Sequence, residues 1–219
     1  MSRAWRSDDP DPARSGYDSG HRRARVRRTT SFRVQMQIPS HVARLRARWA
    51  EGSGPRPPIH EPGPGQRSVW SFPRPPAIEA VGERIRIEHA GRTIVDSTDA
   101  LAVLETSHPP SYYVPASDVD ASVLRREPGR GSMCEWKGQA VYYAVVLGDT
   151  ILSSVGWSYP DPFDDFAALA GRLSFYCAPF DACWVGQARA RPQPGGFYGG
   201  WVTQAFTGPF KGIPGSSGW

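Results

Sequence analysis

An all-β domain behind a disordered basic extension is the fold class this sequence predicts. Three observations carry it. From Ser68 onward, short β-like runs are broken by turn residues roughly every 8–12 positions, the rhythm of hairpin-linked strands. Charge is split: residues 1–65 hold 13 Arg/Lys against 6 Asp/Glu, a balance of +7, whereas residues 66–219 hold 13 against 15, a balance of −2. Finally, residues 192–201 (Pro-Gln-Pro-Gly-Gly-Phe-Tyr-Gly-Gly-Trp) place four glycines and three large aromatics within ten positions. A linker needs no aromatics and a core strand avoids glycine, so this stretch reads as an ordered loop that packs or lines a pocket. The expected division is 1–65, a disordered basic extension, and 66–219, a compact antiparallel barrel or sandwich with one short helix.

Residues 1–31 carry Arg, Asp, Ser and Gly with almost no apolar content, the composition of disorder. Residues 40–50 form one short helix by pattern, with Ser40 as N-cap, Val42, Leu45 and Trp49 on one face and arginines on the other. The Gly/Pro run from Gly52 to Gly65 isolates it, and an isolated helix this short is marginal in water. It reads as a solvated tail, with a partner-binding or membrane-surface segment as the alternative; a translation start near Met36 is a third reading. Arg84–Glu88 and Thr93–Asp96 alternate around Ala90-Gly91, a hairpin turn. Ala100–Glu105 and Tyr112–Pro115 follow, then the longest candidates, Gln139–Leu147 and Thr150–Val155, joined at Gly148-Asp149. Phe163–Leu169 is a helix by its acidic start and by Gly171 beyond its end. Leu173–Cys177, Ala182–Val185 and Ala188–Ala190 complete the set, the last two around Gly186-Gln187, and the segment beyond Trp201 is expected to wrap the domain. A short repeat, Trp70-Ser71-Phe72-Pro73-Arg74-Pro75 against Trp157-Ser158-Tyr159-Pro160-Asp161-Pro162, leaves open whether the fold has two related halves.

Several function classes are excluded at this stage. The folded part is not basic, so nucleic acid is not its expected partner. No apolar run of about 18 residues is present, so no membrane span is expected. Arg27-Arg28-Thr29-Thr30-Ser31-Phe32 lacks the apolar stretch that an export signal needs, because Arg33, Gln35 and Gln37 interrupt it. With an odd set of cysteines (Cys134, Cys177, Cys183), reduced thiols in the cytoplasm are the expectation.

Ser68-Val69-Trp70, Pro73-Arg74-Pro75-Pro76, Leu104 to Pro110, Cys134-Glu135-Trp136-Lys137-Gly138, Trp157-Ser158-Tyr159-Pro160, Phe175-Tyr176, the Gly-rich loop and Gly208 to Gly212 occur in order. Through them residues 68–219 resemble the bacterial family catalogued as domain of unknown function 427, sometimes labelled nucleotidyltransferase-like. The resemblance implies a compact, mostly antiparallel domain of the β-tent kind, akin to small zinc-binding and small-molecule-reading folds. It implies no settled activity.

A structural zinc site wants four N/S ligands in closely spaced pairs, and the three cysteines do not supply them, so neither metal nor cofactor is expected. Nucleotidyl transfer needs a carboxylate pair for Mg²⁺; Asp118-Val119-Asp120 has the spacing, but the expected Gly-Ser follows it instead of preceding it, and no phosphate-cradling Gly-rich Lys motif exists. A catalytic set would centre on Cys134, with Lys137 stabilising an anion and Glu135 or His108 moving protons. Lys137 and Lys211 are the only lysines beside 24 arginines, which suggests positions where a compact titratable ammonium is wanted. On an extended strand Cys134 and Lys137 would face apart; in a tight turn they would meet. The plainer alternative is a buried Cys134, with Lys137 paired to Glu135 or Glu105 and His108 merely tying down its loop.

Binding is what composition supports best. Tyr112, Tyr113, Trp136, Trp157, Tyr159, Gly195, Gly196 and Tyr198 are the expected ligand-contacting residues, because aromatic walls with few polar groups hold small molecules. The expected function is a small-molecule-binding domain. A thiol- or lysine-dependent enzyme and a protein-interaction adaptor are the alternatives, and neither the ligand nor the oligomeric state is legible.

Overall fold

The computed structural model describes residues 38–50 and 56–219, so the expectations for residues 1–31 and for a start near Met36 lie outside the described residues. One α-helix, Ser40–Ala50 (α1), precedes fifteen strands. These are Arg67–Ser68 (β1), Ala77–Val81 (β2), Ile85–His89 (β3), Arg92–Ser97 (β4), Ala100–Leu104 (β5), Ser111–Pro115 (β6), Leu124–Cys134 (β7), Gly138–Leu147 (β8), Thr150–Ser158 (β9), Arg172–Phe175 (β10), Ala182–Val185 (β11), Ala188–Arg189 (β12), Arg191–Pro192 (β13), Trp201–Val202 (β14) and Phe206–Thr207 (β15). A seven-stranded antiparallel sheet runs in the order β2-β5-β6-β10-β9-β8-β7, and a four-stranded antiparallel sheet in the order β12-β11-β3-β4. The fold is mainly β, as expected.

Local turn chemistry sets the hairpins. Ala90 (φ 49°) and Gly91 (φ 72°) both have positive φ, the turn whose twist suits two antiparallel strands. Between the sheets, Ile85, Ile87, Val95, Val145, Leu173 and Phe175 form the main core. Trp201 is 1% exposed, and its indole N–H donates to the Phe175 carbonyl oxygen at 2.8 Å. The C-terminal segment does wrap the domain: β15 pairs in parallel with β1, and Trp219 packs edge-on against Trp70 at 5.4 Å.

Several features correct or refine the sequence reading. The longest strand, β7, went unexpected because Pro128-Gly129-Arg130-Gly131 reads as a turn. Its register jumps from Arg126–Tyr143 to Gly131–Val141, so residues 127–130 bulge. Glu127 anchors that bulge by accepting from the Ser154 N–H at 2.8 Å and the Ser154 hydroxyl at 2.7 Å. β2 was also unexpected. The helix expected at Phe163–Leu169 is present as Asp164–Leu169, of the 3-10 type and kinked at Phe166. The two Trp-Ser-aromatic-Pro copies take different backbones, 3-10 at Val69–Ser71 and strand at Trp157–Ser158, so they mark no related halves.

A further correction concerns α1, which has the expected bounds but is not a solvated, isolated tail. Val42 is fully buried, Leu45 is exposed, and the inward stripe is Val42, Arg46 and Trp49. The Arg46 guanidinium donates to the carbonyl oxygens of Glu135 (2.5 Å) and Trp136 (2.9 Å), and lies 4.9 Å from the Phe163 ring centre. An arginine can sit on an inward face when its donors find carbonyls and its plane finds rings. Replacing Arg46 by alanine is expected to release the helix. In hydrogen-exchange mass spectrometry, peptides covering 40–50 should lose protection at least tenfold while β8 and β9 keep theirs, since an eleven-residue helix without its docking contacts is marginal.

Candidate functional site

The floor of the site is one face of the large sheet. On β9, Trp157 pairs with Tyr142 of β8 on one side and with the small Ser174 of β10 on the other. Its indole N–H donates to the Tyr113 hydroxyl at 3.1 Å, and its ring lies 4.8 Å from that of Tyr176. Tyr113 and Tyr159 are buried beside it, and burial raises both phenol pKa values, so they stay protonated. Tyr112 does not join them. Successive strand residues face opposite ways, and Tyr112 projects into the main core, 5.5 Å from the Trp201 ring centre.

The β7–β8 connection supplies the polar end. Cys134 pairs with Gly138, leaving Glu135–Lys137 as a three-residue turn closed by Gly138 at φ 103°. The turn geometry brings Cys134 and Lys137 together, with the Tyr159 phenol beside the thiol. The Lys137 ammonium lies 5.9 Å from the Tyr159 ring centre. Burial works against its charge, but the neighbouring Cys134, Tyr113 and Glu105 outweigh that and hold its pKa above the ordinary value. Lys137 has no carboxylate within 4.0 Å among the described residues, so the expected pairing with Glu135 or Glu105 is not a direct one.

Glu105 and His108 close a second wall, and Gln193 is their hub. The Gln193 side-chain oxygen accepts from the Gly200 N–H at 3.1 Å, and its amide nitrogen donates to the Lys211 carbonyl oxygen at 2.9 Å. That orientation leaves the second amide hydrogen for His108 Nδ1, 3.0 Å away. His108 is thereby neutral, with its proton on Nε2. Burial agrees, lowering its pKa to about 4 against the pull of Glu105. Burial raises the Glu105 pKa, yet His108, Lys137, Arg74 and Lys211 together hold that carboxyl below its ordinary value; Arg74 Nε is 3.3 Å away.

The Gly-rich loop connects β13 to β14, and three of its four glycines are closely packed. A Cβ on Gly199 would lie 2.0 Å from the Trp157 ring, and one on Gly200 would lie 2.4 Å from the Gln193 side-chain oxygen. Gly195, expected to meet ligand, instead lies against the Gly212 backbone, where a Cβ would be 2.4 Å from the carbonyl oxygen. Gly196, expected in the same role, lines a neighbouring cleft with Tyr142 and Pro179. Lys211 follows the loop, 4% exposed, with its ammonium 4.3 Å from the Trp49 ring centre and 5.7 Å from that of Tyr198. It donates to a main-chain oxygen of Trp219, the last residue of the chain, at 2.6 Å. Burial and then Arg74 lower its pKa, against Glu105 and Glu135.

These walls enclose a cavity of about 350 Å³. The structure brings Cys134, Glu135, Lys137 and His108 to it, together with Tyr113, Trp136, Trp157, Tyr159 and Tyr198; Tyr112, Gly195 and Gly196 are not on its lining. Sequence reasoning missed Trp49, Tyr142, Gln193 and Lys211 as lining residues, although the scarcity of lysine pointed at Lys211. The Asp118-x-Asp120 pair lies elsewhere: Asp118 accepts from the Ser97 hydroxyl at 2.6 Å, and Asp120 from Arg92 Nε at 2.6 Å. No group of three or more His, Cys, Asp or Glu side chains able to hold a metal occurs among the described residues.

The stretch that builds β2 to β11, residues 77–186, matches the family model NTP_transf_9, described as Domain of unknown function (DUF427). The chain belongs to the DUF427 family. No curated protein matches it. The matched stretch is narrower than the resemblance over 68–219, and that difference divides the site. The DUF427 segment supplies Glu105, His108, the Cys134–Lys137 turn, Trp157 and Tyr159, while Trp49, Gln193, Tyr198 and Lys211 come from the flanks. No helix among the described residues of this DUF427 protein is long and apolar enough to cross a membrane.

Proposed function

We propose that this DUF427 protein binds a small, flat organic molecule in the cavity. The observation that carries this reading is the lining itself: rings of Trp49, Tyr113, Trp157, Tyr159, Tyr176 and Tyr198 alternate with a few fixed polar groups around about 350 Å³. That is the size and character of pre-formed ligand pockets. A cytoplasmic setting suits it, because all three cysteines are free. Native mass spectrometry of the full chain, beside an organic extract of the same sample, tests the reading. A retained small molecule is expected, absent from Ser111→Trp, whose indole would occupy the cavity. Retention that is unchanged in Ser111→Trp would place the ligand elsewhere and overturn it.

A second reading rests on the turn that sets Cys134 beside Lys137. An ammonium next to a thiol is how cysteine nucleophiles are activated. In an enzyme of this kind Lys137 would also steady a developing anion, and the His108 Nε2–H would supply a proton donor. Cys134→Ser is then expected to abolish turnover of the extracted ligand while leaving its affinity within about threefold; unchanged turnover would remove the thiol from the chemistry.

A further inference from the structure

Of the walls around the cavity, α1 is the one with the least to hold it. Three of its residues face the domain. Val42 is fully buried, Arg46 donates to the carbonyl oxygens of Glu135 and Trp136, and the Trp49 ring centre lies 4.3 Å from the Lys211 ammonium and 5.3 Å from the Arg74 guanidinium. Among the described residues, Arg46 is the one α1 side chain that hydrogen-bonds to the domain, and its ion pair with Asp165, at 3.6 Å, is open to water on the Asp165 side. The other walls are harder to move. Tyr113, Tyr142 and Trp157 stand on interior strands of the seven-stranded sheet, paired on both sides. The Gly-rich loop is packed so closely that Gly199 and Gly200 have no room for a Cβ. In a folded protein the elements that open first are those with little buried apolar surface, and an eleven-residue helix is marginal on its own.

The same helix meets the site at two places that govern access. Trp49 is on the cavity lining, and it lies over Lys211, which is 4% exposed with the helix in place. The two carbonyls that Arg46 holds belong to the turn that follows Cys134. Undocking therefore removes one aromatic wall and unfastens the polar turn in a single motion. Trp49 comes from outside the matched stretch 77–186, so this wall is added to the DUF427 segment rather than built from it.

We infer that α1 is a removable cover of the cavity, whose undocking opens the wall at Trp49 and admits and releases the ligand. The inference rests on the small-molecule reading above and adds how the site is reached. Thiol alkylation of the full chain tests it, because Cys134 is on the cavity lining while Cys177 and Cys183 are buried elsewhere and serve as internal controls. N-ethylmaleimide is the probe, and peptide mass spectrometry reads the rate at each cysteine. Ala43→Gly/Ala47→Gly weakens the helix from exposed positions and alters neither the wall nor the turn. Each glycine is expected to favour the undocked helix by about fivefold. The double variant should thus be alkylated at Cys134 at least tenfold faster than the wild type, with Cys177 and Cys183 within about twofold. Arg46→Ala should accelerate Cys134 at least as much. An unchanged Cys134 rate in the double glycine variant would overturn the cover, even if Arg46→Ala were fast, since that pattern assigns access to the turn alone. An equal rise at all three cysteines would overturn it too, as the mark of the whole domain opening. Retention of a small molecule in native mass spectrometry is measured separately, so failure of the cover leaves the binding reading standing.

Discussion

Replacing Gln193 with leucine is expected to cost about 3 kcal/mol or more of folding stability, the largest effect of any polar substitution at the site. The side chain is 3% exposed and serves three partners at once: the His108 ring nitrogen, the Lys211 carbonyl and the Gly200 N–H. Leucine has nearly the same volume, so packing loss is small and the cost is that of buried polar groups left without partners, about 1–3 kcal/mol each. Urea denaturation followed by tryptophan fluorescence measures it. The same variant should also release the His108 tautomer. Long-range ¹H–¹⁵N spectra of the wild type should show one imidazole with Nδ1 unprotonated, and in Gln193→Leu that ring should exchange between forms. A loss below about 1 kcal/mol together with an unchanged tautomer would show that the hub is dispensable.

Acid is expected to weaken the fold through His108. Its imidazole has an ordinary pKa of 6.5 and a buried value of about 4. As the pH falls, the unfolded chain therefore takes up this proton before the folded one does. Above 6.5 neither state is protonated and the group is silent; between 6.5 and about 4 the folded state loses ground, by roughly 3 kcal/mol in all. Glu105 acts in a lower window, because a carboxyl held below its ordinary 4.5 gives up its contribution only beneath that pH. Denaturation midpoints measured at steps between pH 7 and 4.5 should fall in the wild type. In His108→Gln that part of the fall should disappear. An equal slope in both proteins would assign the acid sensitivity to other groups.

How far this site was legible depends on whether a residue's role is local. The Cys134–Lys137 motif pointed at the cavity through composition alone, but whether its two ends meet depended on the turn closed at Gly138, which an extended reading would have set apart. Tyr112 and Tyr113 are chemically alike, and only their place in a strand sends one to the core and the other to the cavity. The Gly-rich loop announced close packing but not with what. Its contacts, Trp157 at Gly199 and Gln193 at Gly200, lie across a fold that brings residues far apart in sequence together. Trp49 was visible as the aromatic of a short helix, yet nothing in the helix says that it covers Lys211 on the far end of the chain.

Features set by neighbours in the chain were readable without any structure. The hairpins at Ala90-Gly91, Gly148-Asp149 and Gly186-Gln187, the bounds of α1 and the β character after Ser68 follow from backbone preference and alternating pattern over a few residues. Strand order, the β7 bulge, the docking of α1 and the placing of both lysines on one cavity follow from pairings between distant segments. Those pairings are selected by the total burial and hydrogen bonding of the whole domain, which no short window of sequence contains.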